Sequence, residues 1–367
     1  MIMKRILILS IFIASIFLAQ PFAGSQTTMT NDLPSYFNWQ DIDGIDYSTP
    51  VKNQAPAPTC EAYALCAALE TKLQYEAQEL YSPDLSETHL YFYAGGSYRA
   101  GYVNIEDAAD FLINYGVPDE GCYPDPHRPF DYAYTSLEGW ENRTVKISEW
   151  GWVERTDESI KNALIEYGPL PACFNLYKDF NYYTGGIYKH LFGGRRGGHV
   201  MTIFGYDDED QCWIIKNSGG ADWGENGYIR MHYDSTYFAE WYGEGTGVMY
   251  IDGCYGNLNP DVPKVYITSP KIFYTYLFEK EVSQIFRNIV SIQKAAPRII
   301  GAVNLKITAE NTEKIDIYVD EEPVVTLDST PFEINLDLDK GLHTITTLAY
   351  DADGDVSRDI LDVFVLF

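Results

Sequence analysis

Cys60 opens an alanine-rich run, Cys60-Glu61-Ala62-Tyr63-Ala64, and Gln54 stands six positions before it. A thiol at the first residue of a helix meets unpaired backbone N–H groups and the positive end of the helix dipole. Both favour the thiolate. A nucleophile of this kind also needs a proton carrier and a group that orients the carrier. His199, in Gly197-Gly198-His199-Val200, and Asn217, in Ile214-Ile215-Lys216-Asn217-Ser218, supply those two groups. The chemistry these four residues could perform is acyl transfer from a peptide bond. Cys60 would attack the carbonyl, and His199 would hold the thiolate and then protonate the leaving amine. Asn217 would accept from the imidazole. The Gln54 amide and the Cys60 N–H would receive the developing oxyanion.

Several elements must bring these residues together. Cys60 to about Leu80 reads as a helix, with Tyr63, Ala67, Leu69 and Leu73 near helical spacing. Asn104–Tyr115 reads as a second helix stopped by Gly116, and Asp157–Tyr167 as a third ending at Gly168-Pro169. Short strands are expected at Leu170–Asn175, Gly198–Tyr206, Cys212–Lys216 and Gly227–His232. Helices early and strands late predict an α+β catalytic unit with two lobes over residues 36–256. Residues 26–35 read as an extended segment. Residues 257–263, with Asn259-Pro260 and Pro263, read as a linker. Beyond it, short alternating or apolar runs such as Ile315–Val319, Phe332–Leu336 and Thr344–Tyr350 predict a β-sandwich over 264–367. Phe278–Ile292 reads as an insert of helical character.

Composition narrows the function classes. The chain has 367 residues, 53 acidic against 26 basic side chains, and a formal net charge of −27. Such a surface argues against nucleic-acid partners, which need basic patches. Lys4 and Arg5 precede an apolar run from Ile6 to Ala19, followed by Ala23-Gly24-Ser25. That order predicts a signal peptide at 1–25 and a secreted or cell-surface protein without a transmembrane anchor. Cys66 and Cys212, in apolar runs, read as buried fillers. Pairing among Cys122, Cys173 and Cys254 stays open. The other five histidines lack ligand-like spacing and read as surface or satisfied core groups. Asp351, Asp353 and Asp355 read as a solvated turn, because the intervening glycine does not fit a calcium loop. Neither metal nor cofactor is expected.

Residues from about Asn38 to Gly256 resemble the papain and cathepsin family of cysteine peptidases. The resemblance rests on Pro50-Val51-Lys52-Asn53-Gln54, Cys60, Leu85-Ser86-Glu87, Gly168-Pro169-Leu170, Gly186-Ile187-Tyr188 and Lys216-Asn217-Ser218. Its most specific block adds Trp223-Gly224-Glu225-Asn226-Gly227-Tyr228-Ile229-Arg230. It implies a helical lobe and a β-barrel-like lobe with a cleft between them, and cofactor-free action on polypeptides. The C-terminal stretch resembles the immunoglobulin-like modules of prokaryotic exported proteins, which implies a cell-surface or carbohydrate ligand for that domain. The family's substrate-binding glycines do not align cleanly; Gly95, Gly96, Gly101 and Gly198 are the candidates. Three departures stand out. Ala57 replaces the cysteine that usually precedes the nucleophile, so a family disulfide is missing. Glu61 replaces a tryptophan, placing a carboxylate that would oppose the thiolate. Gly219 replaces the tryptophan that shields the Asn–His bond, which predicts a wetter bond and modest activity. These departures leave two other readings: a papain-fold surface-binding protein without turnover, and a thiol transpeptidase.

Overall fold

The computed structural model describes residues 33–55, 57–97, 99–124, 135–243, 245–256, 258, 261–272, 274–284 and 296–367. The proposed signal peptide and residues 26–32 lie outside them, as does part of the linker. Among them, Pro34–Phe367 form one compact unit.

The first helix, α1 (Cys60–Ala77), ends at Gln78, which takes the left-handed conformation at φ 54°. It stops three residues short of the expected boundary because that left-handed residue closes the last turn. Its buried residues fall on every side, as they must in a helix enclosed by other elements. The polar ones are paired: Gln74 donates to the Tyr47 carbonyl at 2.9 Å, and Lys72 donates to the Tyr167 carbonyl at 2.6 Å. Ser86 caps α2 (Glu87–Tyr93) by accepting from the His89 N–H, and Asn104 caps α3 (Ile105–Asn114) by accepting from Glu106. The fourth helix, α4 (Asp157–Tyr167), has the expected bounds, with Thr156 as its cap. Among the described residues, no helix is long and apolar enough to cross a membrane.

Strand Arg195–Asp207 is the spine of a six-stranded sheet. It pairs antiparallel with Leu170–Tyr177 and, further along the same edge, with Tyr36–Asn38, and on the other edge with Cys212–Lys216. Tyr228–His232 and Ile187–Tyr188 complete the sheet. The spine is longer than its sequence pattern suggests. Its first residues are exposed and polar, and it becomes continuously buried only from Val200 onward. Two apolar cores result. One gathers Phe174, Ile203, Phe204, Trp213 and Ile215 with Leu164 of α4. The other gathers Leu65, Leu69, Leu90, Ile105 and Leu112 with Cys173 and Val200 from the sheet. Burying each such side chain stabilises by about 1.5–3 kcal/mol. The seam between the cores carries Cys60 and His199.

A buried charge network lies under the seam. The Lys52 ammonium contacts Glu70 at 2.8 Å, Glu87 at 2.8 Å and Asp84 at 2.7 Å. Burial alone would lower its pKa, but the three carboxylates raise it well above the usual lysine value. Lys216 donates to the Thr49 carbonyl at 2.6 Å, and burial lowers its pKa to about 8.

The C-terminal residues form two sheets around one core. Lys264–Ser269, Val303–Glu310 and Phe332–Leu336 make one. The other has seven strands, running from Lys280–Gln284 at one edge through Val356–Val365 and Gly341–Tyr350 to Glu322–Leu327 at the far edge. Leu305, Ile317, Ile345 and Val363 meet between them. The start of the expected helical insert is instead a β-hairpin: Tyr274–Leu277 pairs antiparallel with Lys280–Gln284. Phe278 and Glu279 make its turn with positive φ, a conformation that breaks a helix. Residues 285–292 of that insert lie outside the described residues. Asp351 accepts from the Asp353 and Asp355 N–H groups, which closes the acidic turn on itself. The β-rich part is held to the catalytic part by arginines. Arg143 grips Asp119 through two nitrogens and donates to the Val356 carbonyl at 2.7 Å, and the Arg358 N–H donates to the Gly121 carbonyl at 3.0 Å.

Candidate active site

Cys60 is the first residue of α1 and is half-buried. Thr59 offers no side-chain cap, so the first-turn N–H groups remain available near the sulfur. The N–H of Val200, the residue after His199, also acts on the sulfur and favours the thiolate. Two influences oppose it. Burial pushes the thiol pKa well up, and Glu61 adds to that. The Cys60 thiol donates to a Glu61 carboxylate oxygen at 3.4 Å. Glu61 is itself buried, and burial raises its pKa to about 7 despite the Val103 N–H it accepts.

His199 lies where the spine strand passes from exposed to buried. Its Nε2 is 2.8 Å from Asn217 Oδ1. A carboxamide oxygen only accepts, so Nε2 carries the hydrogen and Nδ1 is left to exchange a proton. Asn217 Oδ1 also accepts from the Ser218 N–H at 2.8 Å, which fixes the amide's orientation. Burial lowers the imidazole pKa, the Asn217 bond works against that, and Arg196 adds to the lowering.

Gln54 is positioned by the same loop. Its N–H donates to the Ser218 carbonyl at 2.9 Å. Its side-chain oxygen accepts from the Ser218 hydroxyl, and its amide nitrogen donates to the Ala57 carbonyl at 2.9 Å. One amide hydrogen remains for a ligand. Ser218 thus holds both carboxamides. Its place in the run Lys216-Asn217-Ser218 gives no sign of that role.

The expected wet Asn–His bond is not what the structure holds. Asn217 is only 7% exposed. A Cβ at Gly219 would lie 3.3 Å from Asn217 Nδ2 and 3.8 Å from the Trp223 ring. Trp223 packs on Phe180 at 4.9 Å, and Phe180 presents an edge to His199 at 6.4 Å. Trp223, four residues beyond Gly219, and Phe180, just after the strand Leu170–Tyr177, thus pack beside the Gly219 position and the imidazole.

The four candidate glycines separate. The Glu61–Val103 contact brings the loop just after Gly101 to the nucleophile, and Gly101, at φ +79°, has open space beside it. Gly95 and Gly96 belong to the turn after α2; a Cβ on Gly96 would strike Tyr91. Gly198 is adjacent to His199, but a Cβ there would lie 2.3 Å from the Trp241 ring, so packing already requires glycine. Among the described residues, all six cysteines are free and no cluster could hold a metal ion. One histidine departs from expectation: His89 is fully buried, and neither ring nitrogen has a hydrogen-bond partner among the described residues. Its ring stacks on Tyr93 at 4.1 Å.

The sequence model of the papain family cysteine proteases matches residues 33–246. The chain belongs to that family. Its match to fruit bromelain of Ananas comosus spans less than two thirds of that relative's length. The chain is 30% identical over 223 residues to fruit bromelain, a match covering 58% of this chain and 58% of that one. It is 32% identical over 209 residues to macrodontain-1 of Ananas macrodontes, covering 56% of this chain and 92% of the relative. Among solved structures, the bromelain protease from Ananas comosus in complex with the E64 inhibitor is 28% identical, with a TM-score of 0.47, covering 60% of this chain and 99% of that one.

Proposed function

We propose that this chain is an exported peptidase that hydrolyses peptide bonds through Cys60, His199 and Asn217, with Gln54 in its oxyanion hole. The observation that carries this reading is the 2.8 Å bond from His199 to Asn217, on the strand whose next N–H acts on the Cys60 sulfur. In the first half-reaction the Cys60 thiolate attacks the carbonyl carbon, and the oxyanion takes the free Gln54 hydrogen and the Cys60 N–H. The C–N bond breaks as Nδ1 of His199 gives its proton to the leaving amine. In the second, Nδ1 takes a proton from water, and the hydroxyl oxygen displaces the thiolate from the thioester. Asn217 keeps the ring in one tautomer throughout. The apolar run Ile6–Ala19 behind Lys4 and Arg5 supports export. Two sheets around one core support an immunoglobulin-like C-terminal domain that binds a surface or carbohydrate ligand.

A second reading, a binding protein with weak or no turnover, is favoured by one observation: the buried Glu61 carboxylate against the Cys60 thiol. A thiol-directed peptidyl epoxide and a casein substrate separate the readings when wild type is compared with Cys60→Ala. Labelling and hydrolysis, both lost in the variant, are the expected result. Labelling without hydrolysis, with products joined to an added amine, identifies a transpeptidase. Neither identifies a binding protein.

A further inference from the structure

The arm that leads into His199 has a charge opposite to that of the rest of the chain. Residues 178–196 carry Lys178, Lys189, Arg195 and Arg196 against a single carboxylate, Asp179, in a chain with twice as many acids as bases. That carboxylate is buried and committed. It accepts from the Tyr188 hydroxyl at 2.7 Å, from the Leu191 N–H at 2.7 Å and from the Phe192 N–H at 3.1 Å, and it contacts His190 Nδ1 at 3.0 Å. It therefore neutralises neither arginine. Among the described residues, no carboxylate lies within ion-pair distance of Arg195 or Arg196.

The two arginines are neighbours on a strand, and a register shift leaves Arg196 as the extra residue between Gly197 and Arg195, which face Leu176 and Tyr177. Arg195 bonds Asn175 at 2.9 Å and lines an open cavity of about 520 Å³ with Tyr177 and Tyr237. Arg196 bonds the side chain of Asn181, next to Phe180, whose ring edge faces His199. Arg196 thus lies three residues before His199 on the same strand, with its charge held by an amide rather than cancelled by an acid. The imidazole must protonate the leaving amine, so the half of the substrate after the scissile bond departs over this side of the cleft.

We propose that Arg196 selects substrates with an acidic side chain in the first two positions after the scissile bond. The inference rests on the reading of Cys60 and His199 as the catalytic pair. A partly exposed charge pair of this kind is worth about threefold to tenfold in kcat/KM and weakens with salt.

The test uses the full chain and fluorescence-quenched peptides that share one acyl half and carry Glu, Gln or Lys in those two positions. The Glu peptide is expected to exceed the Lys peptide in kcat/KM about threefold to tenfold at low salt. The ratio should shrink toward one at about 0.5 M salt. Arg196→Gln should bring the ratio within about twofold, Arg196→Glu should invert it, and Arg195→Gln should leave it as in wild type. Equal cleavage of all three peptides by wild type, or a ratio unmoved by salt, overturns the selectivity, and both are read on the wild-type chain alone. Cleavage of none, with no epoxide labelling at Cys60, overturns the peptidase reading itself and this inference with it.

Discussion

The imidazole side and the thiol side of the seam are built on different terms. His199 pairs with Phe174 across one edge of its strand, its partner Asn217 is buried and doubly bonded, and Phe180, packed on Trp223, lies against the imidazole. On that side the Nε2 of the imidazole and the Asn217 oxygen are both hydrogen-bonded. The thiol side has a helix N-terminus and the Val200 N–H in its favour, with a buried carboxylate and desolvation against it. On the proposed reading, the imidazole is held in one orientation by Asn217, while burial and Glu61 oppose a charge on the Cys60 sulfur. The chain's activity should therefore be limited by how readily Cys60 ionises rather than by how well His199 is held.

The largest effect should come from His199→Ala, which removes the carrier. Hydrolysis should fall at least about a thousandfold in kcat, measured on a peptide substrate under saturating conditions. A small loss would show that the ordered side is not the working side. Next, Gln54→Ala should reduce kcat by about a hundred- to a thousandfold while changing KM little, because the carbonyl oxygen gains its charge only in the transition state.

Glu61→Gln tests the contested side directly. Glu61 raises the thiol pKa, so its removal should move the acid limb of the kcat/KM profile to lower pH. Stability should respond as well. The folded-state pKa of Glu61, about 7, lies above that of an unfolded glutamate, so folding favours its protonated form. The resulting penalty is absent below pH about 4, grows as pH rises and is complete above about 7. Glu61→Gln should therefore stabilise the protein more at pH 8 than at pH 4, by about 1–3 kcal/mol in denaturant melts. An unchanged profile and an unchanged melt would erase the contrast between the two sides.

The smallest effect is expected from Gly219→Trp. The Asn–His bond is already covered, so kcat should change by less than about twofold if the ring finds room. A large gain would mean that Trp223 and Phe180 leave the bond wet.

Legibility in the sequence follows how local each signal is. The helix starts at Asn104 and Thr156 are readable because both residues cap through their own side chains, whereas the helix Glu87–Tyr93 behind Ser86 is too short to show a period. The second half of the hairpin, from Phe278 on, reads as helical because its turn residues, Phe278 and Glu279, give no glycine or asparagine signal for positive φ. The packing of Phe180 against His199 and Trp223 is invisible in the sequence, since Phe180 lies 19 and 43 positions from them. The same holds for Ser218, whose hydroxyl reaches Gln54 across 164 positions.

Residue type and order by themselves determined which groups this protein can bring to chemistry: a thiol at a helix start, one imidazole ahead of a carboxamide, and a glutamine upstream. Those are properties of the side chains and of a few neighbouring residues. Tertiary structure alone decided the surroundings in which they work: the buried Glu61, the aromatic cover and the uncancelled Arg196. Burial and charge compensation depend on what distant segments contribute to the same few ångströms, and no local pattern encodes that.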